Sequence, residues 1–106
     1  MNINEKIVKE LKKYLLQNIG DEIKDVILFG SQSNNTSTVN SDYDVLIIVN
    51  KNYDSKYEEK IIDLCYDIDL KYNIIIDPHV LSEKELQTVR GKQPIFINAI
   101  NNGYHA

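Results

Sequence analysis

Apolar residues recur at helical spacing near the start of the chain. From about Asn4 to Ile19 they form one stripe, and most of the lysines lie off it. This pattern predicts an amphipathic helix with Asn4 as its N-cap and Gly20 as its C-terminal stop. Similar spacing and capping signals predict three further helices, from about Ser55 to Leu70, from Ser82 to about Val89, and over Ile95–Asn101.

Three apolar segments lie between these helices and are predicted to be strands. The polar stretch Gln32–Ser41 between the first two is predicted to be a loop. The third strand is expected to stop at Pro78, because proline cannot donate to a strand ladder. Tyr104 and His105 are expected to lie in a fraying tail. The predicted strands are Asp25–Phe29, Tyr43–Val49 and Tyr72–Asp77.

The order of these elements, αβ(loop)βαβαα, determines the expected architecture. The first two strands are joined by a loop, and the second and third by a helical crossover. This order predicts a small mixed β-sheet with helices packed against it, an α/β (α+β) fold. At 106 residues, the chain fits a single domain spanning residues 1–106.

Composition narrows the functional classes. Lys and Arg number 12 and Asp and Glu number 16, which leaves a net charge of −4. This balance argues against direct nucleic-acid binding, which normally uses a basic face. No apolar run approaches the roughly 18 residues of a membrane span, and no signal-peptide pattern is present. We therefore expect a cytoplasmic protein with no membrane or direct nucleic-acid partner.

Two carboxylates are predicted to lie side by side where the second strand begins. Asp42 and Asp44 are two residues apart, so in a strand their side chains project to the same face. Carboxylates held close together repel unless a cation lies between them, and no Lys or Arg lies within five residues. Oxygen ligands without His or Cys suit Mg²⁺ or Mn²⁺ better than Zn²⁺. The sequence therefore predicts a divalent metal site at these two residues.

Gly30 and Ser31 follow the first predicted strand and are candidates for phosphate binding. Glycine lets the backbone approach a ligand closely, amide groups at such a turn can hold a phosphate, and Ser31 adds a hydroxyl donor. Phosphate donors and metal-binding carboxylates that face one site are what phosphoryl or nucleotidyl transfer requires.

Asp77 is a candidate third carboxylate. If the third strand lies beside the second, Asp77 would bind a second ion and take the proton from an attacking hydroxyl. Two ions about 3.5–4 Å apart can stabilise both the attacking and the leaving oxygens. His79 would share the face of Asp77 if the strand continued past Pro78, either as a proton shuttle or, more commonly, as a structural residue.

Gly30-Ser31, ten intervening residues and then Asp42-x-Asp44 before an aliphatic strand form one combined motif. It resembles the minimal nucleotidyltransferase (MNT) domain of the DNA polymerase β superfamily, and the resemblance covers most of the chain. It implies a nucleotidyltransferase-like fold and metal-dependent transfer of NMP, usually AMP from ATP, to a hydroxyl. The nucleotide-binding residues that it implies are Gly30, Ser31 and, beside them, Gln32. The residues that it implies for catalysis and for two Mg²⁺ or Mn²⁺ ions are Asp42, Asp44 and Asp77.

The resemblance also implies a partner. Stand-alone MNT proteins of about this size are similar to antitoxins that are paired with HEPN toxins and adenylylate a tyrosine of the toxin. The implied function is therefore that of an AMPylating antitoxin in a toxin–antitoxin system. The implied substrates are ATP and a HEPN-type toxin.

One departure from the family pattern leaves a second hypothesis open. Many members carry Arg-Gly a few residues after Gly-Ser, where this chain has Asn34-Asn35. The missing cation would weaken triphosphate binding or change the nucleotide preference. The alternative is a catalytically weak or inactive module that binds nucleotide or partner and neutralises the partner by occupancy. Transfer to a small molecule ranks lower, because the chain is too short for an added acceptor domain. A homo-oligomer formed through an exposed sheet edge also stays open.

Overall fold

A mixed sheet forms the middle of the fold in the computed structural model, which describes residues 2–30, 42–88 and 90–106. In these ranges the helices are α1 (Ile3–Ile19), α2 (Ser55–Tyr72), α3 (Pro94–Asn102) and a 3₁₀ turn (Glu85–Gln87). The strands are β1 (Ile23–Phe29), β2 (Tyr43–Val49), β3 (Ile76–Ser82) and β4 (Tyr104–His105).

The strands are arranged in the order β3-β2-β1-β4. β1 pairs antiparallel with both β2 and β4, whereas β2 and β3 run parallel and are joined by α2. The prediction of a small mixed sheet with helices packed against it is confirmed. None of the helices within the described ranges is long and apolar enough to cross a membrane.

Both faces of the sheet are covered by apolar residues. Alternate residues of β2 point to opposite faces, so this central strand contributes to two clusters. The cluster on the α1 and α2 face includes Val8, Leu11, Leu15, Val26, Leu28, Val45, Ile47, Ile61, Cys65 and Val80. The cluster on the α3 face consists of Ile27, Phe29, Leu46, Ile48, Leu81, Phe96 and Ala99. Burial on both faces explains the continuous apolar runs Val26–Phe29 in β1 and Val45–Val49 in β2.

The N-cap of α1 differs from the prediction. The Asn2 side chain, and not that of Asn4, accepts a hydrogen bond from the Glu5 amide, at 2.8 Å. The Asn4 side chain instead accepts a hydrogen bond from the Tyr43 hydroxyl at 2.6 Å, so a tertiary contact takes it away from the helix end. The predicted stop at Gly20 is confirmed, since its amide donates to the Leu16 carbonyl and its φ of +96° suits only glycine.

The predicted bounds of the third strand, Tyr72–Asp77, are wrong. The residues up to Tyr72 belong to α2, and β3 begins at Ile76 and continues through Pro78 to Ser82. Odd-numbered residues of β3 turn their main-chain groups toward β2, because the Ile75 carbonyl accepts from Tyr43 and the Glu83 amide donates to Val49. Pro78 is even-numbered, so its nitrogen faces away from β2, on the side of β3 where no other strand of the described residues pairs and no donor is needed.

The segment after β3 forms a shorter helix than predicted. In the described part of this segment, only Glu85–Gln87 is helical, as one 3₁₀ turn. Val89, the predicted end of the helix, lies outside the described residues. Its start has the predicted reciprocal capping, because the Ser82 hydroxyl accepts from the Glu85 amide at 3.1 Å and the Glu85 carboxylate accepts from the Ser82 amide at 3.0 Å.

The expectation of a fraying C-terminal tail is also wrong. After α3 the chain returns to the sheet, and β4 pairs with Ile27 and Leu28 of β1. The Ala106 amide donates to the Val26 carbonyl at 2.9 Å, and His105 Nδ1 lies 2.6 Å from Asp25 Oδ2. These contacts attach the last residues to the strand that leads to Gly30.

Candidate active site

The parallel pairing of β2 and β3 places two carboxylates next to each other. Asp44, the second residue of β2, is the register partner of Asp77, the second residue of β3. By strand alternation both lie on the α3 face, in line with Leu46 on one strand and Leu81 on the other. The predicted proximity of Asp44 and Asp77 is confirmed, although Asp77 lies at the start of its strand and not at the end.

Gly30 lies against the carboxylate of Asp44. Its φ of +76° is in the left-handed region, and a β-carbon at this position would lie 2.5 Å from Asp44 Oδ2. The antiparallel register accounts for this approach, since Phe29, the residue before Gly30, pairs with Asp44. Glycine is therefore required here both by the backbone conformation and by the space that Asp44 occupies.

His79 joins these residues as a third polar group. One ligand atom from each of Asp44, Asp77 and His79 can be chosen so that all three lie within 4.8 Å of one another. The imidazole ring packs between Phe29 and Phe96, with ring centroids 5.7 and 5.8 Å away. Its Nε2 atom is shielded from solvent and 3.4 Å from Asp77 Oδ2, yet it makes no hydrogen bond to any residue that the structure describes.

The electrostatic environment disfavours the negative charge of Asp44. Burial raises the pKa of this carboxyl, and the charges of Asp77 and Asp42 raise it further. A positively charged His79 acts in the opposite direction. A carboxylate that is partly buried next to other carboxylates is stabilised by a bound cation. The donor set of two carboxylates and one imidazole therefore fits a divalent metal ion.

Asp42 is exposed and precedes β2 by one residue. It does not belong to the group formed by Asp44, Asp77 and His79, but its charge raises the pKa of Asp44. The predicted side-by-side placement of Asp42 and Asp44 as two ligands of one ion therefore stays a prediction. Ser31, Gln32 and the Asn34-Asn35 pair lie outside the described residues.

The sequence prediction missed one residue that shapes the site, Asp69, and gave His79 only a conditional place. Asp69 on α2 positions the start of β3, because its carboxylate accepts a hydrogen bond from the Ile76 amide at 3.0 Å. No local pattern marks this contact, which joins a helix to the strand that follows it. His79 was expected to share the face of Asp77 if the strand continued past Pro78, and β3 does continue to Ser82.

Comparisons with known proteins agree with this geometry. A family model described as a nucleotidyltransferase domain matches residues 8–99. Two candidate protein adenylyltransferases of Methanocaldococcus jannaschii are each 38% identical to the chain. One alignment spans 82 residues, 77% of this chain and 82% of that protein. The other spans 80 residues, 76% of this chain and 75% of that protein.

The fold is also similar to chains in solved toxin–antitoxin structures. One is a toxin–antitoxin crystal structure with AMP-PNP, with a TM-score of 0.60 at 20% identity, covering 97% of this chain and 72% of that chain. Another is a tri-AMPylated Shewanella oneidensis HEPN toxin in complex with an MNT antitoxin, with a TM-score of 0.57 at 17% identity, covering 97% and 71%. At these identities the likeness establishes the fold.

Proposed function

The chain belongs to the nucleotidyltransferase domain family, and as its specific reaction we propose the transfer of AMP from ATP to a hydroxyl group of a partner protein. One observation carries the proposal. The Asp44–Asp77 pair lies at the end of the sheet where Gly30 approaches the Asp44 carboxylate. This arrangement supports a site in which the carboxylates hold metal ions and Gly30 lies next to a bound nucleotide.

Members of this family generally use a divalent metal and a nucleoside triphosphate. In the proposed site Asp42, Asp44 and Asp77 hold two Mg²⁺ or Mn²⁺ ions, while Gly30, Ser31 and Gln32 bind the triphosphate. When bound, such ions neutralise phosphate charge and stabilise the attacking and leaving oxygens. Asp44 is partly buried and lies next to other carboxylates, so a bound cation would stabilise its negative charge most. The Asp77 side chain is 53% exposed, so solvent already stabilises its charge.

Because Asp77 is exposed, we place it on the side of the site from which the acceptor hydroxyl approaches. The acceptor oxygen attacks the α-phosphorus, a new oxygen–phosphorus bond forms, and the bond to the β-phosphate breaks with release of pyrophosphate. The acceptor proton passes to the Asp77 carboxylate, which solvent can reach for proton release. Asp44 lies deeper, between Gly30 and Asp77, where it orients the nucleotide.

The proposed acceptor is a tyrosine of a HEPN-type toxin, which makes this chain an AMPylating antitoxin. The names of the Methanocaldococcus relatives support a protein acceptor. The structural neighbours support the toxin, since one of them contains an AMPylated HEPN toxin with its MNT antitoxin. The exposure of Asp77 further supports an acceptor that arrives from outside and excludes water as it docks. Turnover of ATP is therefore expected to be slow alone and strongly stimulated by the partner.

The alternative proposal is a binding module that neutralises the partner by occupancy. The sequence feature that favours it is Asn34-Asn35 in place of the usual Arg-Gly pair. The two proposals differ in their need for the carboxylates. An AMP-transferring antitoxin loses its effect when Asp44 or Asp77 becomes neutral, whereas a module that acts by occupancy keeps it.

The experiment incubates the chain with ATP, Mg²⁺ and a candidate HEPN-type partner protein, and detects AMP on the partner by intact-protein mass spectrometry. Wild type is expected to add AMP to a tyrosine, and Asp44→Asn and Asp77→Asn to lose at least about 100-fold in rate. Asp21→Asn is the matched control, because Asp21 is exposed at the opposite end of β1 from Gly30. Neutralisation without AMP transfer, unchanged in the Asn variants, would favour the binding module.

A further inference from the structure

We propose that His79 is a nitrogen ligand of the metal ion held by Asp44 and Asp77, and that it makes this site select Mn²⁺ over Mg²⁺. The inference rests on the proposed function, because it takes the metal site of the nucleotidyltransferase as given. It adds a nitrogen ligand to the carboxylate oxygens of Asp44 and Asp77, and this ligand changes the metal that the site prefers.

The geometry brings the imidazole to the carboxylates. Strand alternation places His79 and Asp77 on the same face of β3, and the register pairs Asp77 with Asp44 on β2. One ligand atom of each residue lies within 4.8 Å of the other two, which is close enough for a single cation to contact all three. Among the described residues, this is the one such group of histidine, cysteine and acidic side chains.

The packing of His79 favours a ligand over a solvated side chain. Phe29 and Phe96 flank the ring on the α3 face, and the whole side chain is 27% exposed. Within this packing Nε2 is shielded from solvent and has no hydrogen-bond partner among the described residues. A buried polar atom without a partner is unfavourable, and a cation shared with the carboxylates would satisfy it.

A direct ion pair between His79 and Asp77 is the competing explanation. The distance from Nε2 to Asp77 Oδ2 is 3.4 Å, longer than the common N–H···O range, and the pair does not form a hydrogen bond. A metal ion between the two groups accounts for their approach without such a bond. The two explanations differ in whether nitrogen is bonded to the metal.

The ligand set has a chemical consequence. Mg²⁺ prefers oxygen ligands and gains little from imidazole, whereas Mn²⁺ accepts carboxylates equally well and, as a transition metal, gains more from a nitrogen ligand, although less than Zn²⁺ or Ni²⁺ does. A site with two carboxylates and one imidazole should therefore bind Mn²⁺ more tightly than Mg²⁺. Replacing the imidazole by a group of similar shape without nitrogen should remove this preference and leave the binding of Mg²⁺ nearly unchanged.

The test measures metal–nitrogen coordination directly, by pulsed electron paramagnetic resonance of Mn²⁺ bound with a non-hydrolysable ATP analogue. Histidine labelled with ¹⁵N separates protein nitrogen from adenine nitrogen without any substitution. We expect a ¹⁵N coupling in wild type that is lost in His79→Phe, which retains a ring between Phe29 and Phe96. His105→Asn is the matched control, because His105 is the other histidine and lies on β4, at the opposite edge of the sheet.

Calorimetric titration of the same proteins gives the second readout. His79→Phe is expected to weaken Mn²⁺ binding by at least about tenfold. Its Mg²⁺ binding should change by less than about threefold, since Mg²⁺ gains little from imidazole. Mn²⁺ that binds wild type without a histidine coupling would overturn the role of His79 and leave the proposed function intact. Metal binding that is absent, or that persists unchanged in Asp44→Asn, would overturn the metal site and the proposed function together.

Discussion

Replacing Gly30 by alanine tests whether the position of the Asp44 carboxylate requires a glycine directly after β1. The added β-carbon would lie 2.5 Å from Asp44 Oδ2 and 3.4 Å from Asp44 Cγ. The first distance is far below van der Waals contact, so the Asp44 carboxylate has to rotate away. The φ of +76° adds backbone strain, because an L-residue rarely adopts this conformation.

Gly20 offers a matched control for the free-energy cost of placing alanine in a left-handed backbone conformation. Its φ is +96°, and a β-carbon there would have nothing within 4 Å. Residues held in such sparsely populated conformations cost about 1–3 kcal/mol each. For a domain of this size, each kcal/mol lowers Tm by roughly 4–8 °C. Gly20→Ala and Gly30→Ala are therefore both expected to lower Tm measurably, but only Gly30→Ala also displaces a carboxylate of the site.

Two assays separate the backbone strain at residue 30 from the displacement of the Asp44 carboxylate. Calorimetric titration with Mn²⁺ and an ATP analogue should show affinity lost in Gly30→Ala and retained in Gly20→Ala. In urea unfolding, the cost of Gly30→Ala should fall by about 1 kcal/mol in an Asp44→Ala background, because the clashing carboxylate is gone. Equal costs in both backgrounds, together with unchanged metal–nucleotide affinity, would refute the view that Gly30 is required by Asp44.

Three further predictions concern stability. Because burial and neighbouring charge raise the pKa of Asp44, Asp44→Asn should stabilise the metal-free protein by up to about 1 kcal/mol at pH 7. That gain should shrink as pH falls through the raised pKa towards the ordinary value of an aspartate, and urea titrations at pH 7 and at about pH 3.5 that show equal gains would contradict it. The hydrogen bond with Asp25 raises the pKa of His105, so His105→Asn should cost about 0.5 kcal/mol below roughly pH 6.5. That cost should disappear as pH rises through the raised pKa, and a pH-independent cost in urea unfolding would exclude this ion pair as its source. Leu11→Ala should cost about 2–5 kcal/mol in the same assay, because Leu11 is fully buried. Leu70→Ala, at a residue that is 65% exposed, should cost less than about 0.5 kcal/mol, and similar losses for the two would contradict the packing of α1 on the sheet.

Several elements of the fold could be predicted from the sequence because their signals are local. The apolar stripe that contains Leu11 and Leu15 predicted α1, and the mainly apolar segment Tyr43–Val49 predicted β2 with its observed bounds. The capping pattern of Ser82 and Glu85 was likewise visible within four residues. Each of these depends on spacing along the chain, which a helix or a strand converts directly into one face.

Part of the candidate site could be predicted in the same way. The Asp-x-Asp motif and the glycine after β1 indicated that Asp44 and Gly30 face one place, and Gly30 does lie against the Asp44 carboxylate. The relation of Asp42 to the same cation was predicted from spacing alone. In the fold Asp42 is exposed and precedes β2, where strand alternation no longer determines the direction of its side chain.

The sequence by itself therefore determined the three α-helices, the central strands and the motif that joins Gly30 to Asp44. Only the tertiary structure decided that β3 extends through Pro78, because a proline is acceptable when the sheet order leaves its nitrogen on a free edge. It also decided that the last residues form β4 and that Asp77 pairs with Asp44. The placement of His79 follows from that register. Strand register and edge position depend on contacts between segments distant in sequence, which no local periodicity contains.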